Sequence, residues 1–439
     1  MNVLRYLAIV AMVAGFSSCK LDAKYTVGGY ATGLLGSGLV LEDNSGDALS
    51  VTANGAFIFS SGVKDGDAYS VTVSTQPTNP TQTCTVHNGS GTIDVAAITN
   101  VVVNCTQAGR FAYVANQGSN DISAYVIDQS SGVLTEIAGS PFASTGTGPV
   151  AVTIDPDEQY LYVVNNGSND VSVYSIDYST GALTASGLTI ATGNLPTAAV
   201  VDPTSQYLYV TNSSDNTVSA FTLSGATATA IAGSPYIAGR TPFALKTDPG
   251  GNFLYVTNFT DNTVSVYTIG EGTGELATIS GSPFGTGAGP VAIAIDPTGT
   301  IAYVANQTAD TISAYMLNST TGTLVAAPGS PFGTGSTPES LAVGPGGSFL
   351  YAANVTSKND IAAYAITPAT GAIALGSTVG AEILPLSVVV DPMGQFVYTA
   401  NDSSDDVSVY TVDATSGALT PVKGSPFPAG SGARSVVIY

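Results

Sequence analysis

Apolar and polar side chains alternate with a period of two along most of this chain, in short runs separated by clusters of Gly, Asn, Asp and Ser. Such alternation places one set of side chains on each face of a strand, and no helical period of 3.6 competes with it. From residue 110 onward the runs repeat. A Tyr stands in the same local setting at 113, 162, 209, 255, 303, 351 and 398, at intervals of 46 to 49 residues, and an Asn follows three positions after each. A second run carries an aromatic near its end (Tyr125, Tyr174, Phe221, Tyr267, Tyr315, Tyr364, Tyr410), and a Gly turn leads into a third. A Gly-Ser-Pro-Phe/Tyr loop closes five copies, at Phe142, Tyr236, Phe284, Phe332 and Phe427, and a fourth apolar run leads into Asp-Pro at 155, 202, 248, 296 and 391. Four short strands per repeat of this length match one blade of a propeller. Seven copies predict an all-β fold with a seven-bladed β-propeller over residues 110–439.

The phase of the repeat predicts how the ring shuts. The first copy opens at Phe111 without an apolar Asp-Pro run of its own, and residues 433–439 align with that missing run. The C-terminal strand is therefore expected to complete the first blade as its innermost strand, hiding both sheet edges. The recurring Tyr is expected to pack between blades and the recurring Asn to cap a strand and bond loop backbone. Small residues at 151, 198, 244, 292, 340, 387 and 435 would let the innermost strands approach one another near the axis.

Residues 25–107 do not share the repeat. Alternating stretches separated by Asn-Gly, Ser-Gly and Asp-Gly turns predict a small antiparallel β-sandwich, Ig-like in size and pattern. Ahead of it, Arg5 and the apolar run 7–16 read as an export signal, too short to span a bilayer as a helix. The segment Phe16-Ser17-Ser18-Cys19 resembles a bacterial lipobox, so residues 1–18 are expected to be a lipoprotein signal peptide, Cys19 the lipidated residue and 19–24 a tether. Lys20 follows Cys19, a pattern that implies delivery to the outer membrane, on its periplasmic or surface side. Cys84 and Cys105 remain as an even pair in an exported chain and are expected to form a disulfide, worth about 3 kcal/mol by loop entropy.

Composition narrows function mainly by exclusion. Ten basic against 31 acidic side chains give a net charge of −21, which removes phosphate-backbone binding to nucleic acid; membrane association is expected only through the lipid. His87 is the only histidine in the chain, and it falls before the repeats. A propeller without His or Cys has no Ser-His-Asp or Cys-His nucleophile and no zinc-type site, and no P-loop lysine is present. No metal or cofactor is expected. The acidic groups Asp402, Asp405, Asp406 and Asp43, Asn44, Asp47 lack EF-hand spacing and read as solvated turns.

The repeat Phe253-Leu-Tyr-Val-Thr-Asn-Phe-Thr-Asp-Asn-Thr-Val-Ser-Val-Tyr, with its Gly-Ser-Pro-Phe loop and Asp-Pro turn, resembles the YVTN-type propellers and most closely the lactonase family of seven-bladed propellers. The resemblance covers 110–439. It implies relatives among 6-phosphogluconolactonases and a fungal muconate lactonising enzyme, whose active members gather basic and acidic side chains, His among them, above the central channel. Here Arg occurs in the repeats only at 110, 240 and 434, so no catalytic residue carries over.

Positions that break the repeat are the better guide to chemistry. After the Pro that opens each innermost strand, or the Ala of the last copy, stand Val150, Thr197, Phe243, Val291, Glu339, Leu386 and Arg434, a ring expected to border one mouth of the channel. Arg240 and Glu382 fall at the same loop level, and Lys246 is a lone charge within an innermost strand. These five charged residues, Arg240, Lys246, Glu339, Glu382 and Arg434, are candidates to hold a small anionic group, against the plainer reading of surface ion pairs. Two functions follow. One is a non-catalytic binding module of the cell envelope, a monomer engaging an envelope protein, a glycan or a small anionic ligand; the uniformity of the blades favours it. The other is a lactone hydrolase or isomerase acting on a carboxylated or sugar lactone, with arginine stabilising charge and a glutamate as base.

Overall fold

The computed structural model describes residues 23–34, 36–44, 46–78, 82–106, 110–335, 337–355 and 359–439. The expected signal segment 1–18 and Cys19 lie outside them. Among the described residues, seven antiparallel sheets of four or five strands succeed one another from residue 110 to the C-terminus. The second blade shows the strand order: an inner strand Pro149–Ile154, then Tyr160–Asn165, Asp170–Ile176 and an outer strand Leu183–Ala191, each paired with the next. The first blade takes its inner strand from the far end of the chain. Ala433–Ile438 pairs antiparallel with Phe111–Asn116, Tyr113 opposite Val437, and the N–H of Tyr439 bonds the carbonyl of Phe111 at 3.1 Å. The Tyr439 ring, 5% exposed, stacks on Tyr113 with centroids 6.0 Å apart. The ring is closed as the repeat phase predicts.

In five blades the Gly-Ser-Pro loop breaks the outer strand in two, so that Leu134–Glu136 and Phe142–Ala143 both pair with Asp121–Ile127. Proline has no N–H to continue a ladder, and the serine before it fills the gap. Ser140 Oγ accepts the N–H of Ala124 at 3.0 Å, and Ser234, Ser282, Ser330 and Ser425 repeat the bond at 2.8–2.9 Å. The glycine ahead of each serine sits at φ between 84° and 94°, which a side chain would resist. The blades without the loop keep continuous outer strands, Leu183–Ala191 and Ala372–Gly380.

The seven recurring Tyr are at most 1% exposed and pack between blades; Tyr113, Tyr209 and Tyr303 each donate to the carbonyl of the next blade's turn glycine (Gly181, Gly274, Gly371). The recurring Asn acts differently from expectation. Its amide donates chiefly to side chains of the adjoining strand, as Asn116 does to Asp121 (2.7 Å) and Ser123 (2.9 Å), and among the described residues loop N–H groups meet its oxygen at Asn212 and Asn258. The reason is burial: these Asn side chains are within 1% of full enclosure, so their donors are satisfied inside the blade.

The N-terminal part forms two four-stranded sheets that share one core, with Val27, Val101 and Val103 from one meeting Leu39, Leu41 and Val71 from the other. It is not wholly antiparallel: Val27–Thr32 runs parallel to Ile98–Thr106, because the chain enters and leaves along the same direction and crosses through the opposite sheet between. Cys84 lies directly opposite Cys105 on neighbouring strands and is disulfide-bonded to it. This unit rests on the Asp-Pro end of the ring. Asn54 donates to Asp157 at 2.7 Å, and the carboxylate of Asp296, three blades further on, acts on His87, whose pKa burial holds down.

Two outcomes test this architecture. Tyr439→Ala keeps the closing strand but empties a buried aromatic site, and a loss of about 3 kcal/mol or more is expected in urea unfolding. Glu158, beside the contact with Asp157, has a buried oxygen without a partner among the described residues, and burial raises its pKa to about 7. The folded state then holds a proton that the unfolded chain releases near 4.5, so this stabilisation is complete below that pH and disappears as pH climbs through 7. Glu158→Gln should flatten the fall in urea midpoint between pH 5 and 8.

Candidate functional site

Five of the innermost strands start at a fixed point because the preceding blade holds them there. Asn120, Asn169, Asn216 and Asn262, each at positive φ, accept the N–H of Gly148, Leu195, Thr241 and Gly289 at 2.6–2.9 Å. Asp405 does the same for Gly432 across the closing seam, at 2.7 Å. One residue later the ladder slips: Pro149 pairs with Asn165 but Ala151 with Val164, leaving Val150 out of register. The slip recurs at Thr197, Phe243, Val291, Glu339, Leu386 and Arg434. A bulge of this kind re-aims the side chain it carries. All seven residues line one cavity of ≈ 300 Å³ at this mouth of the channel.

Below them, the small residues do more than make room. Ser340, Ser387 and Ser435 accept the N–H of Val388, Val436 and Val152 at 3.1–3.3 Å, lacing together the innermost strands of the sector that bears Glu339 and Arg434.

The cavity gathers two of the five charged candidates. Arg434 Nη1 donates to Gln117 Oε1 at 3.1 Å and stands 4.0 Å from Asp402 Oδ1; its side chain is 37% exposed. Glu339 accepts a hydrogen bond from Gln307. Burial raises the Glu339 pKa above the usual carboxylate value, while the Gln307 bond and the Arg434 charge pull it back. The other three candidates are elsewhere. Arg240 is 68% exposed and clamped by Asp261 through its backbone N–H and Nε, outside the cavity. Glu382 is exposed and acts on Asp406 and Tyr410, also off the cavity. Lys246 does not line the mouth; water reaches it, yet the surrounding protein walls it in and lowers its pKa. Arg240 and Glu382 share the loop level of the ring but lack the register slip that turns Glu339 and Arg434 toward the axis, and Lys246 lies further along its strand.

Side chains one position after the recurring Asn were not anticipated: Gln117 and Asn166 line the cavity, Gln307 holds Glu339, and Asp402 faces Arg434. Their signal was available, since that position varies in chemical character beside a residue that does not. The acidic turns are engaged internally. Asp405 and Asp406 accept from Gly432 and Asn401, and Asp43 and Asp47 from Ser70 and Ser61.

Comparison with known proteins decides the lineage of this channel. The family profile described as lactonase, 7-bladed beta-propeller, matches residues 67–201, 196–333 and 327–436. The chain belongs to that family. Solved structures agree in fold. A Bacteroides uniformis protein provisionally assigned as a 6-phosphogluconolactonase aligns over 76% of this chain and 100% of its own, at 19% identity and a TM-score of 0.68. The periplasmic gluconolactonase of Pseudomonas aeruginosa aligns over 76% and 99%, at 20% identity and a TM-score of 0.65. Comparison with curated proteins returned no match. The lactonase-family propeller seen here thus has its charged groups, Glu339, Asp402 and Arg434, in one sector of the mouth, without histidine among them.

That electrostatic arrangement is measurable. The carboxyl of Glu339 is expected to titrate above 4.5 when followed by ¹³C NMR, and Gln307→Leu or Arg434→Met should move it higher, because each removes an influence that favours the ionised form.

Proposed function

We propose that this lactonase-family propeller hydrolyses a small lactone at the channel mouth, with Glu339 as general base and Arg434 as the group that receives negative charge. The observation that carries this is their joint presence in one cavity of a lactonase-family propeller, close enough that the Arg434 charge acts on Glu339. In the step envisaged, Glu339 takes a proton from water as the water oxygen bonds to the lactone carbonyl carbon. The oxyanion develops toward the Arg434 guanidinium, which Gln117 and Asp402 hold in place. The ring C–O bond then breaks, and the proton passes from Glu339 to the departing oxygen, leaving a hydroxy acid and the enzyme in its starting state. A carboxylate whose pKa lies above its ordinary value suits a base that must also return the proton.

The uniformity of the blades favours a binding module when the sequence is read alone. Family membership and the Glu339–Arg434 sector favour hydrolysis over it. The same reading places the protein outside the inner membrane, anchored through Cys19; the Cys84–Cys105 disulfide supports an oxidising compartment.

Purified protein should release acid from simple lactones in a pH-stat assay, at a rate that rises with pH as Glu339 ionises. Arg434→Ala should lower kcat by about 10²–10³, and Glu339→Gln by about 10² or more, with circular dichroism unchanged. Equal rates in wild type and both variants would exclude this site.

A further inference from the structure

The walls of the mouth narrow the class of lactone, an inference that rests on the hydrolase reading above. Around the ring, the charged sector occupies the blades whose innermost strands carry Glu339 and Arg434. Asp402 stands against Arg434, so with all three ionised the sector sums to one positive and two negative charges, a net of −1. Arg240 is held outside by Asp261 and Lys246 does not reach the cavity lining. A phosphate ester entering here would meet two carboxylates and one arginine already engaged on two sides. Recognition of such a dianion needs several free donors or cations, and among the described residues Arg434 is the one cation that lines this mouth.

The opposite wall is apolar. Phe243 lies across the axis from Arg434, with Phe259 tilted against it at 6.3 Å between centroids; Val291 continues the wall on one side, and on the other Thr197 donates its hydroxyl to the Phe243 carbonyl at 2.7 Å before Val150 follows. Both phenylalanines are only partly buried. Phe243, at the register slip, packs in part against the interblade cluster around Val291 and with the rest lines the lumen, leaving aromatic surface facing water there, which costs free energy unless something apolar covers it. A cavity of ≈ 300 Å³ is at the small end of ligand pockets.

We propose that the substrate is an uncharged lactone with an apolar body, an aryl-fused or short-alkyl ring, whose hydrocarbon part lies on Val291 and on Phe243, which Phe259 backs, while its carbonyl faces Glu339 and Arg434. Neither a phosphorylated nor a polyhydroxylated sugar lactone matches that division of the walls.

The test compares kcat/KM for dihydrocoumarin and δ-hexanolactone with that for glucono-δ-lactone and its 6-phosphate. Expected is at least a tenfold preference for the first pair, together with a selective rise in their KM, about tenfold, in Phe243→Ser; Phe259→Ser provides the same readout should the first variant not fold. Preference for either sugar lactone, or a preference untouched by both substitutions, overturns this inference and leaves the hydrolase reading standing. Absence of turnover with all four lactones overturns the hydrolase reading and the substrate class with it.

Discussion

The pairing of Ala433–Ile438 with Phe111–Asn116 is the contact on which the remaining geometry depends. A propeller blade buries its two faces against its neighbours, so an open row of seven would leave two apolar faces and two sheet edges bare. Drawing one strand from each end of the chain into a single sheet removes both exposures at once. It also joins the residues that matter chemically. Arg434 enters on the C-terminal strand, while Gln117, which accepts its hydrogen bond, follows directly on Phe111–Asn116 at the other end of the repeats. The N–H of Gly432 is held by Asp405 of the preceding blade. The seam therefore serves as both a structural clasp and the backing of the candidate site.

A second constraint acts locally and is repeated. In every blade the innermost strand loses register with its neighbour at one residue, and that residue faces the channel. The scaffold thus provides seven equivalent positions released from the ladder, some of which, Val291 among them, also pack between blades. Six different residue types occupy the seven positions, a diversity absent from the small residues one step deeper, where Ala and Ser alone fit between converging strands. Function in such a fold resides in the irregular ring, and the regular one maintains it.

The N-terminal sheets add a further restriction. Their contacts reach the Asp-Pro ends of blades on different sides of the ring, through Asn54 with Asp157 and through His87 near Asp296. The mouth that carries Glu339 and Arg434 is at the other end of the innermost strands, so the attached unit does not cover it. Acidic groups at the shared boundary, Asp155, Asp157 and Glu158, all have raised pKa values because burial disfavours their charge. Burial of these groups makes this boundary respond to pH.

The amino-acid sequence by itself determined the blade number, the strand order within each blade, the closing strand and the partner of Cys84. These follow from periodicity and local chain chemistry: a strand pattern of period two, glycines at positive φ and a proline that stops a ladder act on the backbone wherever they occur. Sequence also located the ring from which Glu339 and Arg434 come, because those positions break an otherwise uniform repeat. Only the tertiary structure decided which charges share the cavity. Arg240 and Glu382 lie at the expected loop level, yet no register slip turns them inward, while Gln117, Gln307 and Asp402 reach the site from a different strand. Side-chain direction near the axis depends on how seven sheets converge, a property of the assembled ring that no single repeat contains.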